Sequence, residues 1–188
     1  MKTVGNKLEK FAVTGVRPGQ PDDAFFDITE QSFPGKWKVI VFYPKDFTFV
    51  CPTEIVAYDK LFQDFEDRDA VLLTGSTDNE FCKVAWQKAH PDLQKITHVQ
   101  FADTQRPHYT DDGEYVNLSL VEQLGVFFNP SGAALRATFI VDPDNVIQHV
   151  TVNNLNVGRS PEETLRILDG CQSGELCACN RPVGGPTL

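Results

Sequence analysis

The chain has 188 residues, 41% of them hydrophobic, which suits one domain with a sizeable core and a short tail. A net charge of −9 and a pI near 4.8 disfavour nucleic acid or an anionic membrane as the main partner. No stretch reaches the length of a membrane span, and residues 1–10 lack the apolar run of a signal peptide.

Up to about Lys36 the chain is rich in Gly, Pro and Asp, with short apolar pieces at residues 11–13 and 24–28. A loop-rich opening with a short hairpin is expected there. Residues 38–43 are β-branched and aromatic and read as a buried strand that ends at Pro44. From Cys51 onward, Ile55, Tyr58, Phe62 and Phe65 fall at helical spacing, and Pro52 fits a first helical turn. Residues 70–76 form the next apolar run, suited to a buried parallel strand. Thr77-x-x-Glu80 has the form of a capping box opening a helix through Val84 to Lys88. Strand, helix, strand, helix implies a parallel βαβ core with a right-handed crossover, an α/β fold.

Residues 92–117 are polar and turn-rich, with a short strand expected at 99–101 and an exposed loop at 106–114. Residues 118–124 suit a short helix that stops at Gly125. Two β-rich runs, 134–141 and 146–152, are separated by Asp142-Pro143-Asp144-Asn145 and read as a hairpin. Ser160-Pro161-Glu162-Glu163 sets a cap, an N1 proline and an N3 glutamate before a last helix whose inner face carries Leu165, Leu168 and Cys171. From Gln172 the chain turns polar and Gly/Pro-rich. The division expected is a domain over 1–171 and a flexible arm over 172–188. A parallel βαβ half, an antiparallel hairpin and a closing helix make the thioredoxin-like pattern, a central mixed sheet flanked by helices with N- and C-terminal extensions.

Five cysteines without a secretion signal suggest catalysis, metal binding or packing in a reducing cytoplasm rather than a disulfide framework. Cys51 lies where strand, loop and helix start meet. It faces unpaired backbone N–H groups and the positive end of the helix dipole, which stabilise a thiolate, the nucleophilic form. The plainer reading of a lone cysteine is core packing; the placement favours a reactive thiol.

Pro44-x-x-x-Thr48-x-x-Cys51 resembles the active-site signature of the peroxiredoxins, and residues 47–54 resemble their typical two-cysteine branch. The likeness continues through Leu135-Arg136-Ala137-Thr138-Phe139-Ile140-Val141-Asp142, Val157-Gly158-Arg159-Ser160 and Leu176-Cys177-Ala178-Cys179-Asn180, so it covers nearly everything from about Pro34. It is most similar to the bacterial alkyl hydroperoxide reductase C group with a Cys-Ala-Cys tail. The resemblance implies the same thioredoxin-like fold.

It also implies a thiol peroxidase of antioxidant defence, acting on hydrogen peroxide and organic hydroperoxides with no metal, haem or flavin of its own. Cys51 would be the peroxidatic sulfur. Thr48 would bring a hydroxyl to thiolate and peroxide, or simply cap the helix, and Pro44 would wall the pocket, or simply end the strand. Arg136 would stabilise the thiolate and polarise the peroxide. Glu54, one turn into the helix, would orient it through a bidentate pair. Arg159 matches a second arginine of that network, although Gly158-Arg159-Ser160 also reads as an ordinary pre-helix loop.

Attack leaves a sulfenic acid that condenses with a second thiol. The resemblance assigns that resolving role to Cys177 of a partner subunit, hence an intersubunit disulfide, a homodimer and a ring of five dimers. Cys179 is the alternative resolving thiol, or passes the disulfide on. Reduction would come from an external dithiol protein: a thioredoxin, a flavin-dependent disulfide reductase or a small Cys-x-x-Cys disulfide reductase. A zinc reading of Cys177 and Cys179 lacks the spacing and a second pair, and the four histidines show no ligand spacing. Cys82, Cys171 and Trp86 read as packing residues. The chain lacks the Gly-Gly-Leu-Gly loop and terminal Tyr-Phe of relatives sensitive to overoxidation, so resistance to excess peroxide is expected. Two rivals stand beside this reading. A thiol–disulfide oxidoreductase on the same fold is disfavoured because Cys51 has no partner three residues away. A non-enzymatic holdase or binding protein would work without Cys51.

Overall fold

The strands form where β-branched and aromatic residues run together, and the helices where apolar residues recur at turn spacing. The computed structural model describes residues 1–20 and 23–188. In chain order its strands are β1 (Ala12–Val16), β2 (Phe25–Thr29), β3 (Trp37–Phe42), β4 (Ala70–Ser76), β5 (Val99–Ala102), β6 (His108–Tyr109), β7 (Tyr115–Val116), β8 (Phe127–Phe128), β9 (Ala133–Ala134), β10 (Arg136–Val141) and β11 (Ile147–Asn153). The helices are α1 (Val50–Asp59), α2 (Phe62–Glu66), α3 (Glu80–Ala89), α4 (Leu120–Leu124) and α5 (Pro161–Ser173).

Among the described residues one seven-stranded sheet runs in the order β11-β10-β3-β4-β5-β1-β2. Its centre, β3-β4-β5, is parallel; β10 and β11 add an antiparallel pair at one edge and β1 and β2 at the other. This is the mixed α/β sheet that the pattern predicts. Alternation along β3 divides the core. Ile40 and Phe42 face a cluster with Leu73, Phe101, Val121, Leu124 and Phe139, while Val39 and Val41 pack against Tyr58, Phe65, Leu165 and Leu168. A third cluster, Tyr43, Cys51, Ile55, Trp86, Leu93 and Ile96, lies where β3 hands over to α1.

Four local expectations need correcting. Thr77 does not cap α3: its hydroxyl donates to the Gly132 carbonyl, and Asn79 is the cap, accepting from the Cys82 amide at 2.8 Å. Asn79 holds the extended backbone a cap needs, and its short side chain reaches that amide. The helical spacing from Ile55 to Phe65 belongs to two helices broken at Lys60 and Leu61, which pack on one sheet face. The run 134–141 splits, because Ala133–Ala134 pairs with Phe127–Phe128 and only Arg136–Val141 joins the main sheet. The last helix runs on to Ser173, where Gly174 takes the left-handed conformation that closes a C-terminus (φ 65°). The remaining punctuation is as expected: Ser160 caps α5 with Pro161 behind it, and Gly125 ends α4. Among the described residues no helix is long and apolar enough to cross a membrane.

Candidate active site

The site is built where β3 stops. Tyr43 donates its amide to the Gly75 carbonyl at 2.8 Å, and Pro44, half-buried and without an N–H, cannot continue the ladder. A short loop follows, and α1 begins at Val50 with Cys51 as its second residue. Cys51 therefore sits in the first turn, among amides without helical partners. Phe49 precedes the helix and supplies no side-chain cap. Thr48 is not the cap either, because its hydroxyl donates back to the Lys45 carbonyl at 2.9 Å and closes the loop on itself.

Cys51 is 1% exposed, and Nη1 of Arg136 lies 3.5 Å from its Sγ. That guanidinium is fixed twice more, Nε on the Leu155 carbonyl at 2.7 Å and Nη1 on Glu54 Oε2 at 2.6 Å. Arg136 opens β10, so the sheet carries it to the sulfur. Glu54, three residues after Cys51, lies on the same face of α1 and is equally buried. The bidentate partner of Glu54 is Arg159 rather than Arg136. Arg159 donates Nε to Oε1 at 2.8 Å and Nη2 to Oε2 at 3.0 Å, and adds its backbone amide at 2.9 Å. Its Nη1 reaches the Ala137 carbonyl and the Thr138 hydroxyl on β10. Two arginines thus share one carboxylate, and only Arg136 presents charge to sulfur.

The structure brings Cys51, Glu54, Arg136 and Arg159 together, with Thr48 and Pro44 in the adjoining loop. Cys177 and Cys179 are elsewhere: both are exposed, and Cys177 Sγ lies 3.5 Å from Ser173 Oγ and 3.8 Å from the Gly170 carbonyl at the end of α5. All five cysteines are free thiols. Burial first, then Asp46 and Asp78, push the Cys82 thiol up to about 11, and burial raises that of Cys171. Both remain protonated and suit packing. His98 is buried between Asp59 at 2.7 Å and Thr74 at 2.9 Å.

One set of residues escapes sequence reasoning. Lys83 of α3 is wholly buried behind the loop, with Nζ 2.8 Å from Ser76 Oγ, 3.1 Å from the Tyr43 hydroxyl and 3.3 Å from Asp46 Oδ1. Burial pulls its ammonium below the usual lysine range against Asp46, and the same burial with Asp46 pushes the Tyr43 phenol well up. The available signal was its spacing, since Lys83 shares an inward helix face with Trp86 and Gln87.

Residues 4–150 match the model of the AhpC/TSA family. The chain is 45% identical to "Alkyl hydroperoxide reductase C" of Mycolicibacterium smegmatis over 194 residues, covering 99% of this chain and 93% of that protein. It is 38% identical to the human "Thioredoxin-dependent peroxide reductase, mitochondrial" over 87% of this chain and 62% of that one. Among solved structures, AhpC of Mycobacterium tuberculosis superposes with a TM-score of 0.80 at 42% identity, over 95% of this chain and 97% of that chain. The reduced 2-Cys peroxiredoxin of Plasmodium vivax does so with a TM-score of 0.83 at 33% identity, over 100% and 93%.

Proposed function

The chain belongs to the AhpC/TSA family, and on that footing we propose that its activity, thiol-dependent reduction of peroxides, runs through a Cys51 sulfenic acid. The observation that carries the reading is the buried Cys51 sulfur with the Arg136 guanidinium 3.5 Å away, itself locked by Glu54 and Leu155. A thiolate there is stabilised by the cation and by the first-turn amides. It attacks one oxygen of a hydroperoxide; the S–O bond forms as the O–O bond breaks, and the departing oxygen takes a proton and leaves as water or alcohol. Arg136 faces the charge that develops on the separating oxygens, Thr48 supplies a hydroxyl from the loop, and Pro44 limits access. Glu54 and Arg159 hold Arg136 in place.

The sulfenic acid then condenses with the Cys177 thiol of a partner subunit, or with Cys179, forming the disulfide and releasing water. An external dithiol protein reduces that disulfide, whether a thioredoxin, a flavin-dependent disulfide reductase or a small Cys-x-x-Cys reductase. Both tail thiols are exposed and so open to exchange. A homodimer is supported by an exposed aromatic surface in the loop before Cys51, where Phe47 and Phe49 are 56% and 93% exposed, and the ring of five dimers is what the family resemblance implies. A second copy of the chain is the occupant we assign to that surface. The acidic charge and five free thiols fit a reducing, cytoplasmic setting.

A non-reducing gel after one equivalent of hydrogen peroxide tests the scheme on wild type, Cys51→Ser, Cys177→Ser and Cys179→Ser. The expected dimer band vanishes in Cys51→Ser and weakens in one tail variant, which names the resolving thiol. Cross-linking of Cys51→Ser at the wild-type level would end the reading.

A further inference from the structure

Between Pro44 and Cys51 the chain makes a bend that a free loop would not keep. Phe47 has φ 55°, the left-handed region where an aromatic residue is strained. Strain of this kind persists only where the surroundings over-determine it. Both sides of Phe47 are held by α3. On one side is Asp46, whose Oδ1 accepts from the Tyr43 hydroxyl at 2.8 Å, Lys83 Nζ at 3.3 Å and Ser76 Oγ at 3.4 Å. The Asp46 amide donates to Asp78 Oδ2 at 2.8 Å. On the other side the Phe47 ring packs 5.8 Å from Trp86, one helical turn beyond Lys83.

A buried ion pair is a poor device for stability alone, because removing both charges from water offsets most of their attraction. The Lys83–Asp46 pair has its charged groups almost wholly shielded, with side chains 0% and 1% exposed. What such a pair does well is fix one geometry. Here the geometry fixed is that of the segment carrying Thr48 and Cys51.

We propose that Lys83 is a positioning residue for peroxide reduction: paired with Asp46 it holds the left-handed turn at Phe47, and so sets Thr48 and Cys51 against Arg136. The inference rests on Cys51 being the peroxidatic sulfur. Lys83 does not touch the peroxide and acts only through Asp46. Its loss therefore slows the attack, which needs the aligned loop. It does not slow the later disulfide step, which needs Cys51 released from that alignment.

Quenched-flow mass spectrometry of Cys51 after mixing with hydrogen peroxide separates the two steps. Lys83→Met removes the charge at similar length, and Asp46→Asn keeps the shape of the partner. Each is expected to slow thiol-to-sulfenic conversion tenfold or more, while sulfenic-to-disulfide conversion stays within twofold of wild type or quickens. Alkylation of Cys51 by iodoacetamide, at a pH high enough to ionise the thiol in every variant, needs no peroxide alignment and is expected to change less than threefold. Adding Phe47→Gly to Lys83→Met, so that the turn no longer needs holding, is expected to recover part of the rate. Folded single variants that oxidise Cys51 within twofold of wild type would overturn the proposal, as would both failing to fold, since the pair would then be structural. A Cys51→Ser protein that still consumes peroxide would instead overturn the assignment of Cys51, so the two failures are distinguishable.

Discussion

Glu54 accepts four hydrogen bonds, one from Arg136 and three from Arg159, which fills the lone pairs of a carboxylate. Glu54→Gln would leave two buried guanidinium groups without a counter-charge and turn an amide donor towards one of them. Breaking a buried pair from one side costs about 3–5 kcal/mol, so a urea titration should show a loss of roughly that size. Peroxide oxidation of Cys51 should slow at least tenfold in a stopped-flow assay. Arg136→Lys tests the fork rather than the charge: one ammonium cannot serve Leu155, Glu54 and Cys51 together, and a fall of about 10²-fold is expected. An unchanged rate with lysine would mean that charge alone suffices. At this scale the sequence shows Cys51 at a helix start and Glu54 one turn on, both local facts. It does not show which arginine reaches the sulfur, because Arg136 arrives from another strand 85 residues away; family resemblance supplied it. Spacing puts Lys83 on the inward face of its helix, but its partners stay hidden for the same reason. A lysine on a helix reads as solvated until β3, the loop and β4 converge on it.

At the scale of elements, most strands and helices were legible because their patterns are local, whereas their joints depend on neighbours. The break between α1 and α2 hides inside one unbroken apolar rhythm because both halves face the same sheet. The N-terminus of α4 carries a joint that no pattern announces. Asp103, just after β5 and fully buried, accepts the Val121 amide through Oδ2 at 2.5 Å, while Oδ1 has no hydrogen-bond partner among the described residues. Burial pushes its carboxyl from the ordinary 3.8 up to about 6, against the Val121 amide and Arg106. The folded state thus holds this proton more tightly than the unfolded chain. The stabilisation is complete below about pH 3.8 and is lost as pH rises through about 6. Asp103→Asn keeps an acceptor for Val121 and cannot ionise. Its stability relative to wild type should grow by about 2 kcal/mol between pH 4.5 and 7.5 in urea titrations. A difference that stays flat across that range would place the proton elsewhere.

For the whole molecule the proposed scheme turns on how a thiol on the tail would reach Cys51. The net charge of −9 is no obstacle to the first step, since hydroperoxides are neutral. The second step requires movement. The sequence after Gln172 reads as a free arm because it is polar and rich in Gly and Pro, but the structure lays it back along α5. The Arg181 guanidinium meets Asp169 Oδ2 at 2.6 Å, the Gly184 amide meets the same oxygen at 3.0 Å, and Arg68 approaches the other at 3.4 Å. The Leu188 amide closes the end of the chain on the Leu176 carbonyl at 2.9 Å. Cys177 and Cys179 lie between the end of α5 and the anchor at Arg181, so they cannot travel far until Asp169 lets go. Asp169→Asn weakens all three contacts at once and leaves Cys51, Glu54 and Arg136 untouched. If the anchor retains the arm, the sulfenic-to-disulfide step should quicken severalfold, as expected for about 1 kcal/mol of holding energy. Oxidation of Cys51 by peroxide should keep its wild-type rate, and less sulfinic acid should accumulate at high peroxide. Mass spectrometry of Cys51 along a peroxide series reads all three. A slower disulfide step in Asp169→Asn would reverse the conclusion, making the anchor a device that presents the arm to its target rather than one that restrains it.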